Sequence, residues 1–229
     1  MDMLNTLRIV ALLASALLSF EALGAAAVVA NLSGTLYVQK PDGVVKVLSQ
    51  KSEVDTGDIV TTEKDSYARI KFSDGGEVTL SPNSKLKIDA YGFDENAPEK
   101  DNFVFSLIKG GLRSITGLVG KRGNRDAYRL NTATATIGIR GTHFRLRFCQ
   151  GDCGGKLQDG LYLNVINGII NARNNAGEMD FGAGQFGFVG GIGMQPILLP
   201  KDPGLPKEDG HGGDDGGGGD TGGAGCFMH

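Results

Sequence analysis

An all-β fold is the class this sequence predicts, and three observations predict it. Side chains alternate with period 2 in "YARIKFSDGGEVTLS": Ala68, Ile70 and Phe72 alternate with Arg69 and Lys71, and Val78 and Leu80 resume the pattern after a break. Pairs that supply the positive φ of a tight hairpin recur at Asp42-Gly43, Asp74-Gly75 and Asn167-Gly168. No segment between Val28 and Leu199 sustains a helical period. Short strands with closely spaced turns fit a β-roll, a sandwich or a solenoid-like stack.

The elements follow in chain order. Residues 1–27 read as a secretory signal: Arg8 precedes an apolar run from Ile9 to Phe20, and small residues Ala22, Gly24, Ala25, Ala26 and Ala27 follow. Cleavage is expected between Gly24 and Val28. A membrane anchor would need about 20 apolar residues, and Glu21 cuts this run short. No stable membrane span is therefore expected after cleavage. Residues 28–148 form the main β domain, interrupted by polar loops at 94–102 and 121–126.

Its last stretch, "TATATIGIRGTHFRLRF" (132–148), changes the face of its apolar residues. Ala133, Ala135, Ile137 and Ile139 are odd; Phe144, Leu146 and Phe148 are even, with His143, Arg145 and Arg147 opposite them. A strand of period 2 cannot move its buried set to the other parity without an extra residue. A bulge at Arg140-Gly141-Thr142 is predicted, with Gly141 taking the left-handed conformation. Thr132, Thr134 and Thr136 would then form a polar strand face.

Residues 149–200 read as a β-rich extension packed on the main domain. It contains the Asn167-Gly168 turn, placed between Val165-Ile166 and Ile169-Ile170, and closes with a strand or extended segment in "MQPILLP". Phe181, Phe186 and Phe188 are expected in its core. Residues 201–229 form a Gly/Asp-rich tail with almost nothing to bury, expected to be disordered. The tail accounts for much of a glycine content of 37 in 229 residues, about twice the usual share. It contains no Gly-Gly-x-Gly-x-Asp calcium repeat.

Charge excludes one class of partner. Residues 28–200 carry 20 basic and 18 acidic side chains. Such a near-neutral body lacks the electrostatic footprint of a nucleic-acid binder. "GIRG" (138–141) satisfies the RNA-clamping G-x-x-G pattern formally, but that loop requires flanking helices.

Several stretches appear in an order that resembles the periplasmic FecR domain. They are "TGDIVTT" (56–62), "SYARIKFSDGGEVTLSPNSKLKI" (66–88), "KGGLRSITG" (109–117) and "NTATATIGIRGTHF" (131–144). Gly57, Asp58, Asp74, Gly75, Arg113, Arg140, Gly141, Thr142 and Phe144 are among the residues that carry the resemblance. It implies a β-rich, non-catalytic, periplasmic or secreted module that binds other envelope proteins and needs no cofactor. In the regulators that give the family its name, the module passes a signal from an outer-membrane transporter to a cytoplasmic sigma factor. Only eight residues precede the apolar run here, too few for a sigma-binding region, so that role is not expected. The motif residues are expected to be mainly structural. A structural envelope component touching peptidoglycan or surface glycan is the alternative.

Chemistry-bearing residues are few. Cys149 and Cys153 enclose "QGD", and in an exported chain they are expected to form a disulfide that closes a hairpin. Cys226 is left without a mate. Zinc would need further ligands, and His143, His211 and His229 do not supply the spacing. A Cys149–His143 nucleophile pair competes with the disulfide and is disfavoured. Arg140 is expected in a salt bridge to Asp58 or Asp74.

Overall fold

The computed structural model describes residues 25–205 except 123, 125 and 156. Most of the expected signal (1–24), the tail from 206 onward, Cys226, His211 and His229 lie outside the described residues. The described chain has no α-helix, only a 3-10 turn at Pro98–Lys100. The first eight strands are short: β1 (Ala27–Ser33), β2 (Leu36–Gln39), β3 (Val45–Leu48), β4 (Glu53–Val54), β5 (Ile59–Thr62), β6 (Tyr67–Phe72), β7 (Glu77–Leu80) and β8 (Lys85–Gly92). Then come β9 (Asn102–Ile115), β10 (Tyr128–Asn131), β11 (Thr136–Cys149) and β12 (Gly160–Asn174). The last three are β13 (Gly177–Gly182), β14 (Phe186–Val189) and β15 (Ile197–Leu199). All belong to one sheet, antiparallel except where β10 runs parallel to β9.

The hairpins obey their turn chemistry. β6 buries Ala68, Ile70 and Phe72, β7 buries Val78 and Leu80, and Gly75 between them has φ 83°. Gly43 (φ 86°) turns β2 into β3, and the Asp42 carboxylate accepts the Val44 N–H at 3.0 Å. That side-chain bond replaces the one a backbone turn would make.

Three long strands organise everything else. The first part of β9 pairs with β8 and β10, and its second part pairs with β7 and β11. β11 changes neighbours in the same way, from β10 and the end of β12 to β9 and the start of β12. β12 pairs first with β14 and then with β13. Two half-sheets result: β3-β2-β5-β8-β9-β10-β11-β12-β13, and β4-β1-β6-β7-β9-β11-β12-β14-β15, sharing the long strands. They face each other across one core. Phe72 of the second half lies 4.4 Å from Phe103 and 5.3 Å from Tyr91 of the first, between ring centroids. A sheet rolled over on itself is thus the form taken.

Each long strand changes its buried parity where it bends. β9 buries Phe103, Phe105 and Leu107, then Leu112 and Ser114; β11 buries Ile137 and Ile139, then Thr142, Phe144, Leu146 and Phe148; β12 buries Leu161, Leu163 and Val165, then Ile170 and Ala172. The register shifts at each switch lie within two residues of Gly110 (φ 84°), Gly141 (φ 61°) and Gly168 (φ 83°). The register between β11 and β12 slips between Arg140 and Phe144, which is the predicted bulge.

Four expectations need correction. Asn167-Gly168 does not reverse the chain, because β12 runs through it and Gly168 answers the bulge at Gly141. Asn-Gly supplies positive φ equally well for either purpose. Thr132 and Thr134 are not on a strand face: residues 132–135 turn the chain from β10 into β11, and Thr132 Oγ1 accepts the N–H groups of Thr134 and Ala135 at 3.2 and 3.1 Å. Threonine here bonds its own local backbone in place of a ladder. Phe181 is core, whereas Phe186 and Phe188 are half-buried on the other face. Gly187 takes the inward position between them, since a Cβ there would sit 2.7 Å from Phe181 Cζ. Arg140 is exposed and forms no ion pair among the described residues. Asp58 is occupied by Lys40, and Asp74 by backbone N–H groups.

Local crowding distinguishes the three bends. A Cβ on Gly168 would lie 2.6 Å from Thr142 Cγ2 and 2.7 Å from Gly141 O, and one on Gly110 2.6 Å from Ser84 Cα. At Gly141 the nearest atom, Lys121 Cγ, is 3.5 Å away. Gly141→Ala should therefore cost about 1 kcal/mol, the backbone term alone. Gly110→Ala and Gly168→Ala should each cost about 3 kcal/mol, because overpacking adds to that term. Urea unfolding of the three variants gives the order directly.

Candidate functional site

Of the motif residues, Gly57, Asp58, Asp74 and Gly75 lie in turns. They do not converge on one site. Asp58 is fully buried; its Oδ2 receives Lys40 Nζ at 2.8 Å and the Asp55 N–H at 2.9 Å, tying the base of the β2–β3 hairpin to the start of β5. Gly57 (φ 89°) precedes it, and its N–H donates to Ile88 O at 2.7 Å. Asp74, also buried, accepts the N–H groups of Gly76 and Val119 at 2.9 and 3.1 Å, so a hairpin carboxylate anchors the segment after β9. Thr142 joins the bend of β11 to the end of β9: its N–H donates to Thr116 Oγ1 at 2.9 Å, and Thr116 Oγ1 donates to Thr142 O at 2.7 Å. Phe144 is core.

The outward face of the second half-sheet carries the chemistry instead. Beyond the bend, the odd residues of β11 point away from the core, so His143, Arg145 and Arg147 share one face with Arg113 of β9. Arg113 and Arg145 are directly opposite each other across the β9–β11 ladder. Like charges in that relation repel. Arg113 Nε–H donates to His143 Nε2 at 2.7 Å, which requires a neutral imidazole. Partial burial, together with the positive charges of Arg113 and Arg145, lowers the His143 pKa to about 4.

Aromatic and aliphatic groups adjoin the cations. Arg147 is opposite Tyr162, Tyr162 is opposite Phe188, and Phe188 is opposite Ile197. The Tyr162 and Phe188 ring centroids are 4.7 Å apart. The parallel row runs Arg113, Arg145, Asn164, Phe186, Leu199. At its end, β15 is an edge strand with Ile197 and Leu198 48% and 51% exposed.

The loop between β11 and β12 borders this face. Cys149 and Cys153 are joined in a disulfide, with Cα atoms 5.6 Å apart. Arg147 Nε–H donates to Cys153 Sγ at 3.4 Å, and Arg147 lies 3.6 Å from Asp152. Bonded to Cys153, Cys149 cannot serve as a thiol nucleophile with His143. No group of three or more His, Cys, Asp or Glu side chains among the described residues is placed to hold a metal ion. Tyr162 is itself covered, at 6% exposed, so half-buried Phe186 and Phe188 are the rings nearest the surface; guanidinium groups beside them suit a partner that brings carboxylates and apolar side chains.

Known proteins bear on the same stretch. The sequence profile described as "FecR protein" matches residues 58–171, from the Asp58 anchor through all three bends. The chain belongs to the FecR family. Comparison with curated protein sequences returns no match. Among solved structures, the chain is similar to two crystal structures of a provisionally assigned anti-sigma factor from Parabacteroides distasonis ATCC 8503. Identities are 12% and 13% and TM-scores 0.48 and 0.47, and each alignment covers 63% of this chain and 60% of the other. A cell surface anchoring domain is 26% identical over 28% of this chain and 84% of its own, with a TM-score of 0.27. The chain thus spans about three fifths of the first two structures.

Within this FecR-family fold, sequence reasoning missed the basic row as a site. The signal was present in the odd positions of "HFRLRF", but the partners Arg113 and Tyr162 come from distant strands and only the ladder brings them alongside.

Two measurements check this local chemistry. The His143 pKa in the fold, about 4, lies below its ordinary value of 6.5. As pH falls the unfolded chain binds the proton first, so the stability that neutral His143 contributes is complete above about pH 6.5 and is lost toward pH 4. The unfolding free energy of His143→Gln should fall less steeply than that of the native chain between pH 6.5 and 5. Opening the disulfide by Cys149→Ser with Cys153→Ser should cost about 2 kcal/mol, the loop-entropy value for so short a ring, read as a lower urea midpoint.

Proposed function

We propose that this FecR-family protein is an exported, non-catalytic binding module of the cell envelope that recognises another envelope protein through the outward face of its second half-sheet. One observation carries the reading: the directly opposed Arg113 and Arg145 lie beside the Tyr162–Phe188–Ile197 row on one sheet face. Phe188, half-buried over a covered Tyr162, is the aromatic group within reach of a partner, and aromatic rings beside arginines are what protein interfaces concentrate at their centres. A glycan surface would call for acidic groups beside the aromatics, and the charges in these rows are basic. Among the described residues no helix is long and apolar enough to cross a membrane. Export is supported by the signal-like residues 1–27 and by the disulfide, since such bonds persist in oxidising compartments.

The test is cross-linking of the mature protein in intact envelopes, followed by identification of its neighbours. Arg113→Glu and Phe188→Ala should each reduce recovery of one envelope protein about tenfold, as loss of a hot-spot residue does, with unchanged circular dichroism. Equal recovery from native and both variants, or a full-length cytoplasmic product with reduced thiols, would refute the proposal.

A further inference from the structure

On the outward side of the first half-sheet, strands β10 to β13 each contribute one residue to a single row: Arg129, Gly138, Asn171 and Asp180. The two charged residues are exposed and stand at opposite ends of it. Three strand spacings separate them, about 14 Å, more than the two side chains can bridge. Asp180 Oδ1 accepts the Asn171 amide at 2.8 Å. Neither Arg129 nor Asp180 forms an ion pair among the described residues.

Gly138 has no reason within one chain to be glycine. Its φ is not positive, and a Cβ there would approach nothing closer than Asn171 Cβ, at 3.8 Å. A glycine inside a strand weakens it and commonly marks a place where a ligand or another backbone comes close. The glycines of the three bends answer to their own fold; this one answers to something outside it.

The row is its own complement. Turned about a two-fold axis that runs along the strands between β11 and β12, it reads Asp180, Asn171, Gly138, Arg129. Each Arg129 then meets Asp180 of the second copy, and each Asn171 side chain enters the space above the other copy's Gly138. The neighbouring rows agree with that axis. Asn131, Thr136, Arg173 and Glu178, reversed in the same way, set Glu178 against the Asn131 amide and Arg173 against Thr136. Arg140 and Ile169, opposite each other on β11 and β12, exchange places, so a guanidinium stem covers an isoleucine that is 55% exposed. No row brings like charges together. A two-fold interface requires this kind of self-complementary patch.

We propose that two copies of this chain pair face to face through the outward side of β10–β13, in a two-fold dimer closed by reciprocal Arg129–Asp180 ion pairs. Four strands by about five residues give roughly 300 Å² per copy. An interface of that size makes the dimer weak and transient. The Arg113–Phe188 face belongs to the second half-sheet, so it stays open in the dimer.

The test is sedimentation velocity of the mature chain, with Cys226→Ser in every version so that no disulfide between chains imitates the dimer. Between about 10 and about 500 µM, the range a small interface calls for, the weight-average mass of the chain should rise toward that of a dimer. Arg129→Asp and Asp180→Arg should each weaken self-association about tenfold or more, because each sets like charges together at both ends of the row. An equimolar mixture of these two variants should recover a dimer, since one chain then brings only acidic groups to the ends and the other only basic ones. Gly138→Tyr, for which one chain has room, should abolish the dimer with unchanged circular dichroism and no lower urea midpoint. A native chain that stays monomeric at the highest concentration overturns the proposal, as does a mixture no more associated than its components or a Gly138→Tyr chain that pairs like the native one.

Discussion

The structure depends on one constraint of strand geometry. Side chains on a strand alternate, so a long strand that turns the corner of a rolled sheet would carry its apolar set from the inside to the outside unless one residue is added at the corner. β9, β11 and β12 all turn that corner, and each shifts its register within two residues of a glycine with positive φ. The bends are mutually dependent. Gly141 and Gly168 oppose each other closely enough that a Cβ on the second would strike the backbone of the first. Thr142 and Thr116 then fix the level of the corner by exchanging hydrogen bonds with each other's backbone groups.

Buried carboxylates stabilise the rest in a way that follows from this arrangement. A rolled sheet must close its hairpins against segments far away in sequence, and each closure leaves backbone N–H groups pointing inward. Asp74 satisfies two of them, one 45 residues distant. Asp101 accepts the Asp94 N–H and pairs with Arg122 at 3.1 Å, while the same guanidinium donates to Asp94 O and Glu95 O. An ionised carboxylate makes strong bonds with such donors, so its burial is compensated by hydrogen bonding. Removal of any one would strand several donors at once.

Local chemistry was legible in the sequence wherever one residue decides one feature. The Asp42-Gly43 and Asp74-Gly75 hairpins, the Cys149–Cys153 bridge and the bulge at Gly141 were all readable from neighbours a few positions away. Asn167-Gly168 was misread because positive φ serves a bulge as well as a turn, and only the pairing partner tells which. The same face change in "FVFSLIKGGLRS" went unread, although Phe103, Phe105 and Leu107 are odd and Leu112 is even. The salt bridge expected for Arg140 does not form, because Asp58 has a nearer cation in Lys40 and Asp74 bonds backbone N–H groups. The basic row was hidden for a stronger reason. Alternating Arg and His on one strand looks like any solvated face until the ladder sets Arg113 and Tyr162 beside it.

The corner and the outward face are therefore one design. His143, Arg145 and Arg147 point outward only because Gly141 moves the buried set of β11 to Phe144, Leu146 and Phe148. Were β11 to run straight, the three phenylalanine and leucine side chains would face solvent and the cations would face the core, an exchange no packing could absorb. The same shift on β12 turns Tyr162 outward against Phe188, so that rings and guanidinium groups arrive in adjacent rows without any loop having to place them. Binding surfaces built on strands hold their spacing better than those built on loops. A face set by backbone parity is consequently as rigid as the core beneath it, and its charge pattern can change by substitution while its geometry stays fixed.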